Sequence, residues 1–439
     1  MFVYLAIPGF LPSSAAGPEP IRVPSPKISK FDLTCDSCRV ALLAQPELGT
    51  NIAFIQAKIK SSPNPAPFLE QLGWEYVKKA RSQNDPGLYR MAEQCARCWE
   101  TNFPGTWEPL LLKGHVFHSL HQFKEAESIA NKLVSGRGSP FDYGLLGDAC
   151  YDLGKVREAV EAYQKMMDLK PDAHAYLRAG QIRWIKGDLE GASEMYLRAV
   201  QASNAHDPEA SAWMRSKLAA VFWQLADLDG ANLMVDEAIK LDAQHAASLH
   251  LKGRLLLSEG KETNALVYLK QAADAYPLPE YLWTYADALR LAGKEKEAIA
   301  AEAVLLKKGA SMDPRSYSLF LSTRRIKPEE SESFARRELK ERQDIFSHDA
   351  LAFALYFAGK QEEARSEMEL ALAENTIDPR LVFHAALIFE SSDQKKAAKL
   401  GKIAGQMQAL LQPSEKNLLD AFNKKFISLT TAVNSVNTN

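Results

Sequence analysis

YGLLGDACYDLGKVREAVEAYQKMMDLKPDAHAYLRAGQIRWIKGDLEGASEMYLRA, running from Tyr143 to Ala199, holds one pattern twice at an offset of 33 residues. Each copy has a tyrosine (Tyr143, Tyr176), a glycine inside an amphipathic segment (Gly147, Gly180) and a second glycine between segments (Gly154, Gly187). An alanine follows (Ala159, Ala192), then another tyrosine (Tyr163, Tyr196). Only a very small residue inside a helix lets a second helix approach closely, and a glycine between helices suits the left-handed conformation that ends one. The pattern therefore predicts paired antiparallel helices joined by a short turn.

Self-similarity at a period of twenty to fifty residues decides the fold of a whole chain. With the alanine of the second helix as anchor, the pattern extends through Ala126, Ala159, Ala192, Ala231, Ala265, Ala298, Ala335, Ala364 and Ala398, at separations of 33, 33, 39, 34, 33, 37, 29 and 34. Twelve residues before most anchors stands Gly114, Gly147, Gly180, Ala219, Gly253, Ala286, Ala352 or Ala386. Turn glycines recur at Gly154, Gly187, Gly260, Gly293 and Gly359, and Pro171, Pro208, Pro277, Pro314 and Pro379 separate units.

These residues resemble the tetratricopeptide repeat (TPR) family, whose unit carries an aromatic, Leu-Gly, Tyr, Ala, an aromatic, Ala and Pro. The best match is Tyr143, Leu146, Gly147, Gly154, Ala159, Tyr163 and Pro171. The resemblance implies an all-α, TPR-type α-solenoid, a right-handed superhelix of antiparallel helix hairpins. It covers about residues 66 to 411. Asp349 to Ala364 and Arg380 to Phe389 look, more loosely, like the end of predicted exported bacterial TPR proteins.

The domain reading has three parts: a leader with an extended Pro-rich linker over 1–50, a solenoid of about nine or ten helical hairpins over 51–411, and a C-terminal capping helix with a disordered tail over 412–439. Three departures carry expectations. Nineteen residues separate Gly73 from Ala92, which predicts a hairpin loop longer by seven. The Ala335 unit has Thr323 and Lys327 where others have small residues, which predicts a kink. Lys402 and Gly405 in the last unit predict a polar capping repeat.

Stacked hairpins leave the first helices lining an inner surface. Four residues after the small position lie His118, Tyr151, Trp184, Trp223, Leu257 and Arg290; adjoining columns add His115, Asp148, Gln181, Arg254 and Asp287, then Phe141, His174, Trp213 and Glu280. Aromatic and arginine side chains dominate interface hot spots, so this surface is the candidate groove for a protein or peptide partner. The family's clamp for acidic C-terminal tails uses Lys and Asn, whereas Leu111, Gly144, Leu177, Ser216 and His250 stand here. The expected ligand is an apolar, mixed-charge or helical segment.

Five cysteines form Cys35-x-x-Cys38, Cys95-x-x-Cys98 and a lone Cys150. Cys35, Cys38, Cys95 and Cys98 are an alternative metal set, a structural zinc or a redox-switched regulatory module. A disulfide within a pair or across the pairs, if the chain is exported, or plain thiols, are the other readings. No haem-attachment histidine follows either pair. Signatures of zinc proteases, P-loops, serine hydrolases and dinucleotide folds are missing, which points to a binder and not an enzyme, with no cofactor. His245, His250 and His384 read as helix packing without a paired carboxylate.

Fifty-three basic against fifty-five acidic residues give a net charge of −2, with no run of one sign, and this argues against a nucleic-acid partner. No apolar run is long enough for a transmembrane helix. The first seventeen residues have an apolar core and a Ser14-Ala15-Ala16 site of export type, but no early basic residue and two prolines. Bacterial periplasm or secretion is the expected setting, with the cytoplasm as alternative.

Overall fold

The structure is a computed structural model that describes residues 31–436 apart from 45, 84, 205 and 206. The export segment expected at the N-terminus lies outside the described residues. Among them are twenty-three α-helices and no strand. The chain divides into two compact units, Met1–Ala175 and Tyr176–Asn439.

The first unit contains α1 (Asp36–Ala41), α2 (Thr50–Ser61), α3 (Ala66–Gln83), α4 (Pro86–Asn102), α5 (Glu108–Ser119), α6 (Phe123–Gly136), α7 (Pro140–Asp152) and α8 (Val156–Leu169). Nearly all of α9 (Ala173–Ile185) belongs to the second. There it is followed by α10 (Leu189–Gln201), α11 (Pro208–Gln224), α12 (Leu228–Leu241), α13 (Ala246–Ser258), α14 (Glu262–Ala275), α15 (Pro279–Leu291) and α16 (Glu295–Met312). The unit ends with α17 (Pro314–Arg324), α18 (Pro328–Glu341), α19 (Ile345–Phe357), α20 (Gln361–Ala371), α21 (Pro379–Phe389), α22 (Gln394–Gln406) and α23 (Pro413–Val436). Successive helices pair as antiparallel hairpins from α3 to α8 and again from α11 to α22.

The small residues do what the repeat pattern requires. The Tyr163 ring lies directly on Gly147, and a Cβ at Gly180 would stand 2.6 Å from the Tyr196 ring. Ala219, Ala286, Ala352 and Ala386 are wholly buried at the equivalent places. Turns close on Gly154, Gly187, Gly260, Gly293 and Gly359, all with φ between 71 and 78°. Helix starts are fixed by aspartates at the N-cap: Asp188, Asp227, Asp344 and Asp393 each accept a backbone N–H three residues on. Pro208, Pro314 and Pro379 occupy the first helical position, where a missing N–H costs nothing.

Several expectations are corrected. The extra seven residues after Gly73 do not lengthen a loop; α3 runs to Gln83 and α4 starts at Pro86. Seven residues make about two helical turns, so the insertion extends the helix and keeps the same face inward. In the Ala335 hairpin, Arg325 and Lys327 adopt left-handed conformations without glycine, at φ 55° and 50°. Close approach has moved one turn back: the Ser318 hydroxyl donates to the Ser331 carbonyl, and the Ser331 hydroxyl to that of Ser318, both at 2.9 Å.

The last hairpin is shifted by one residue, because Ala397 and not Ala398 is buried, together with Gly401 and Ala404. The Phe422 ring of α23 sits on Gly401, so the apolar face of an amphipathic helix covers this hairpin where a polar cap was expected. Nor do residues 31–50 form an extended linker: they carry α1, and Cys38 and Ala41 are fully buried. The stretch from 412 begins inside the second unit, with Gln412, Glu415 and Leu419 wholly buried.

Replacing Gly180 with alanine forces the Tyr196 ring out of its seat. The expected cost is about 1–3 kcal/mol of unfolding free energy, measured by urea titration of the full chain.

Candidate functional site

Within Tyr176–Asn439, the first helices curl until early and late hairpins touch. Lys186 Nζ pairs with Glu374 at 2.7 Å, Gln224 Nε2 donates to the Ile377 carbonyl at 2.9 Å, and Trp184 stacks on Phe346 with ring centroids 5.7 Å apart. The inner faces of α9, α11, α13, α15, α17, α19 and α21 surround a cavity of about 450 Å³. An open trough was expected; in this unit the surface closes on itself.

Five of the residues singled out from sequence line this cavity: Gln181, Trp184, Trp223, Arg254 and Glu280. Trp184 is half-buried and donates from Nε1 to Gln224 at 2.8 Å. Trp223 is only 4% exposed, with the Arg254 guanidinium over its ring at 5.2 Å. Their neighbours were not anticipated. Lys217, Tyr281, Arg315 and Phe346 belong to the lining, as does Arg380.

One end of the inner surface is filled by the chain itself. Arg254 donates to the Leu410 carbonyl. Gln412 Nε2 donates to Thr284 Oγ1 at 2.7 Å, and Ser414 Oγ donates to Asp287 Oδ2 at 2.6 Å while accepting from Trp283 Nε1 at 2.9 Å. Arg380 links Glu280, at 2.9 Å, to Glu415, at 2.6 Å. Burial works against the Glu280 carboxylate, but Arg380 holds it at about 2. Burial dominates at Glu415 and raises it. Asp287, expected on the groove, is thus buried and engaged by Ser414 and Arg324. Arg290 is paired with Glu302 at 2.7 and 2.8 Å, away from the cavity lining. Trp213 is 40% exposed and is not part of the lining; the Lys217 ammonium lies 4.8 Å from its ring centroid.

In Met1–Ala175 the expected groove residues are engaged by other residues of the same unit. His115 lies 2.7 Å from Arg81 and packs on Trp74, while His118 binds Asp152 at 2.9 Å. Tyr151 is half-buried. Asp148 accepts the Tyr163 hydroxyl at 2.8 Å, and in the second unit Gln181 accepts that of Tyr196 at 3.1 Å. One hairpin latch therefore explains both members of that column: the ring covers the glycine and the hydroxyl binds the next residue.

The four-thiolate zinc set is not assembled. Cys38 and Cys98 are joined in a disulfide across the two pairs, with Cys35 beside it and Cys95 buried outside the sulfur group. Cys150 is buried. Of His245, His250 and His384, His384 does have a carboxylate: its Nδ1 lies 2.8 Å from Asp349, contributed by a different hairpin 35 residues away in sequence, while His245 is the N-cap of α13. No sequence-local spacing announces that pair.

Comparison with known proteins adds the class. The tetratricopeptide repeat model matches residues 143–172 and 173–206, so these two segments are tetratricopeptide repeats. Among solved structures it is similar to the APC/C hetero-tetramer Cut9–Hcn1, at 14% identity and a TM-score of 0.46, over 84% of this chain and 62% of that one. It thus spans less than two thirds of that protein's length. It is also similar to the human IFIT1 dimer with PPP-AAAA, at 11% identity and TM-score 0.46, over 87% and 92% of the two chains. A third is TTC0263, a thermophilic TPR protein of Thermus thermophilus, at 18% identity and TM-score 0.37, over 46% and 99%. No curated protein matches the sequence. The repeat fold is consistent with an interaction scaffold, and among the described residues no helix is long and apolar enough to cross a membrane.

His250, behind the cavity lining, gives the second unit a pH signature. It is 7% exposed, 2.8 Å from Thr284 Oγ1, and burial, aided by Arg254, pushes it down to about 3. An unfolded histidine titrates near 6.5, so between these values the unfolded chain binds the extra proton. Stability should fall by about 1 kcal/mol per pH unit as pH drops from 6.5 towards 3, and this component should vanish in His250→Gln, as read from urea titrations across that range.

Proposed function

We propose that the protein is a scaffold that binds a polypeptide segment of mixed charge on the inner face of Tyr176–Asn439, in the cavity bounded by Trp184, Trp223, Tyr281 and Phe346. The observation that carries this reading is Lys217. It lines the cavity, its ammonium lies 4.8 Å from the ring centroid of Trp213, and among the described residues it pairs with no carboxylate. Burial pushes it down to about 8 with no acidic group opposing the shift. A half-buried ammonium without a counter-charge is costly to keep, and an acidic side chain of a partner would relieve that cost.

The rest of the lining supports the same ligand. Arg315 and Asp313 also lie on the lining, so a segment with both signs of charge and one or two apolar side chains suits it. A volume of about 450 Å³ suits a few residues of a partner, not a whole domain. The reading assigns binding and no catalytic step. An oxidising setting such as the bacterial periplasm or exterior belongs to it, supported by the Cys38–Cys98 disulfide.

The test is a photo-crosslinking amino acid placed in the full chain at Ala220, on the lining, or at Ile299, which is 56% exposed on α16. Position 220 should capture a defined polypeptide and position 299 should not. Adding Lys217→Met should weaken capture about tenfold, the equivalent of roughly 1.4 kcal/mol, while leaving helicity intact. Equal capture from both positions, or capture indifferent to Lys217→Met, would contradict the reading.

A further inference from the structure

The three sulfur atoms of Cys35, Cys38 and Cys98 lie within 4.8 Å of one another. Cys38 and Cys98 share the disulfide and are both wholly buried. Cys35 keeps its thiol, is only half-buried, and holds its Sγ 2.6 Å from Cys38 Sγ. Its place is enforced locally. Cys35 is the N-cap of α1 and its Sγ accepts the Cys38 backbone N–H at 3.3 Å, which turns the first sulfur of the C-x-x-C towards the second.

Cys95, one turn before Cys98 on α4, is excluded from the group. It is fully buried, and burial pushes its thiol up, so it stays protonated and inert. The disulfide's own sulfurs are sealed from solvent, and the one accessible sulfur of the group touches one of them. A sulfur in that position is an attacking group.

We propose that Cys35, Cys38 and Cys98 form an internal thiol–disulfide exchange site. Cys35, as thiolate, attacks Cys38 Sγ. The Cys35–Cys38 bond forms as the Cys38–Cys98 bond breaks, and Cys98 leaves as a thiolate that takes up the proton released by Cys35. One disulfide and one thiol are present before and after, so the step consumes no oxidant or reductant.

Its result is structural. The Cys38–Cys98 bond closes a separation of 60 residues and staples α1 to α4, whereas a Cys35–Cys38 bond is confined to one turn. With the staple moved, α1 is held by non-covalent contacts. The Asp32 N–H donates to Asn102 Oδ1 at 2.6 Å, and Phe31 packs on Phe103 with ring centroids 5.3 Å apart. The exchange also carries the disulfide to the half-exposed Cys35, where an external thiol reaches it.

The experiment is disulfide mapping of the full chain: acid quench, alkylation with N-ethylmaleimide under denaturing conditions, digestion and mass spectrometry. Two populations are expected, one with Cys38–Cys98 and alkylated Cys35, the other with Cys35–Cys38 and alkylated Cys98. Cys35→Ser should retain Cys38–Cys98 alone and be reduced by dithiothreitol about tenfold more slowly, since the buried bond loses its internal attacker. Cys95→Ser should keep both populations. If Cys35→Ser does not fold, alkylating native wild-type protein at Cys35 and then timing reduction reads the same step. A single Cys38–Cys98 linkage with a reduction rate unaffected by loss of the Cys35 thiol would overturn the proposal, as would five free thiols in air-oxidised, folded protein.

Discussion

Everything in this molecule depends on how closely two helices of a hairpin can approach. Where Gly147 and Gly180 leave no side chain, the rings of Tyr163 and Tyr196 lie flat against the backbone and their hydroxyls reach Asp148 and Gln181. Ala219, Ala286, Ala352 and Ala386 solve the same problem with a methyl group, and Ser318 and Ser331 solve it with reciprocal hydrogen bonds to backbone carbonyls. Each hairpin is set by local residues, so the array tolerates a unit of 29 residues as readily as one of 39.

In Tyr176–Asn439 this local rule has a collective consequence. Seven first helices turn their inner faces to one cavity, and residues beyond 407 return to fill one side of it. The returning segment uses groups that a groove would otherwise offer to a partner: Arg254, Asp287, Thr284 and Trp283. Buried groups at Glu280, Arg380 and Glu415 are tolerable because Arg380 hydrogen-bonds both carboxylates and Gln412 donates to Glu280. Lys217 stands outside this network, which is why the proposed binding function rests on it.

The hairpins, their turns and their buried small residues were legible in the sequence because each depends on residues a few positions apart. What was illegible depends on distance in the chain or on register. Asp148 and Gln181 read as groove residues because their tyrosine partners lie 15 positions on, across a turn. Ala398 read as the last anchor because Ala397 beside it is identical, and only the Phe422 ring over Gly401 distinguishes the register. The His384–Asp349 pair, the return of the segment from Gln408 and the docking of Cys38 on α4 have no spacing signature at all. Of the candidate site, the columns of α9, α11 and α13 led to four true lining residues, whereas Lys217 and Phe346 fall off those columns.

The central claim is that the inner surface of the second unit is closed, with residues 408–422 forming part of its wall. Hydrogen–deuterium exchange of the full chain tests this most directly. The account predicts that the amides of Gln412 and residues 415–422 exchange as slowly as those of α15 and α21, against which the segment packs. Exchange of 408–422 within seconds, as in a free tail, alongside protected α15 and α21, would contradict it and return the inner surface to an open groove.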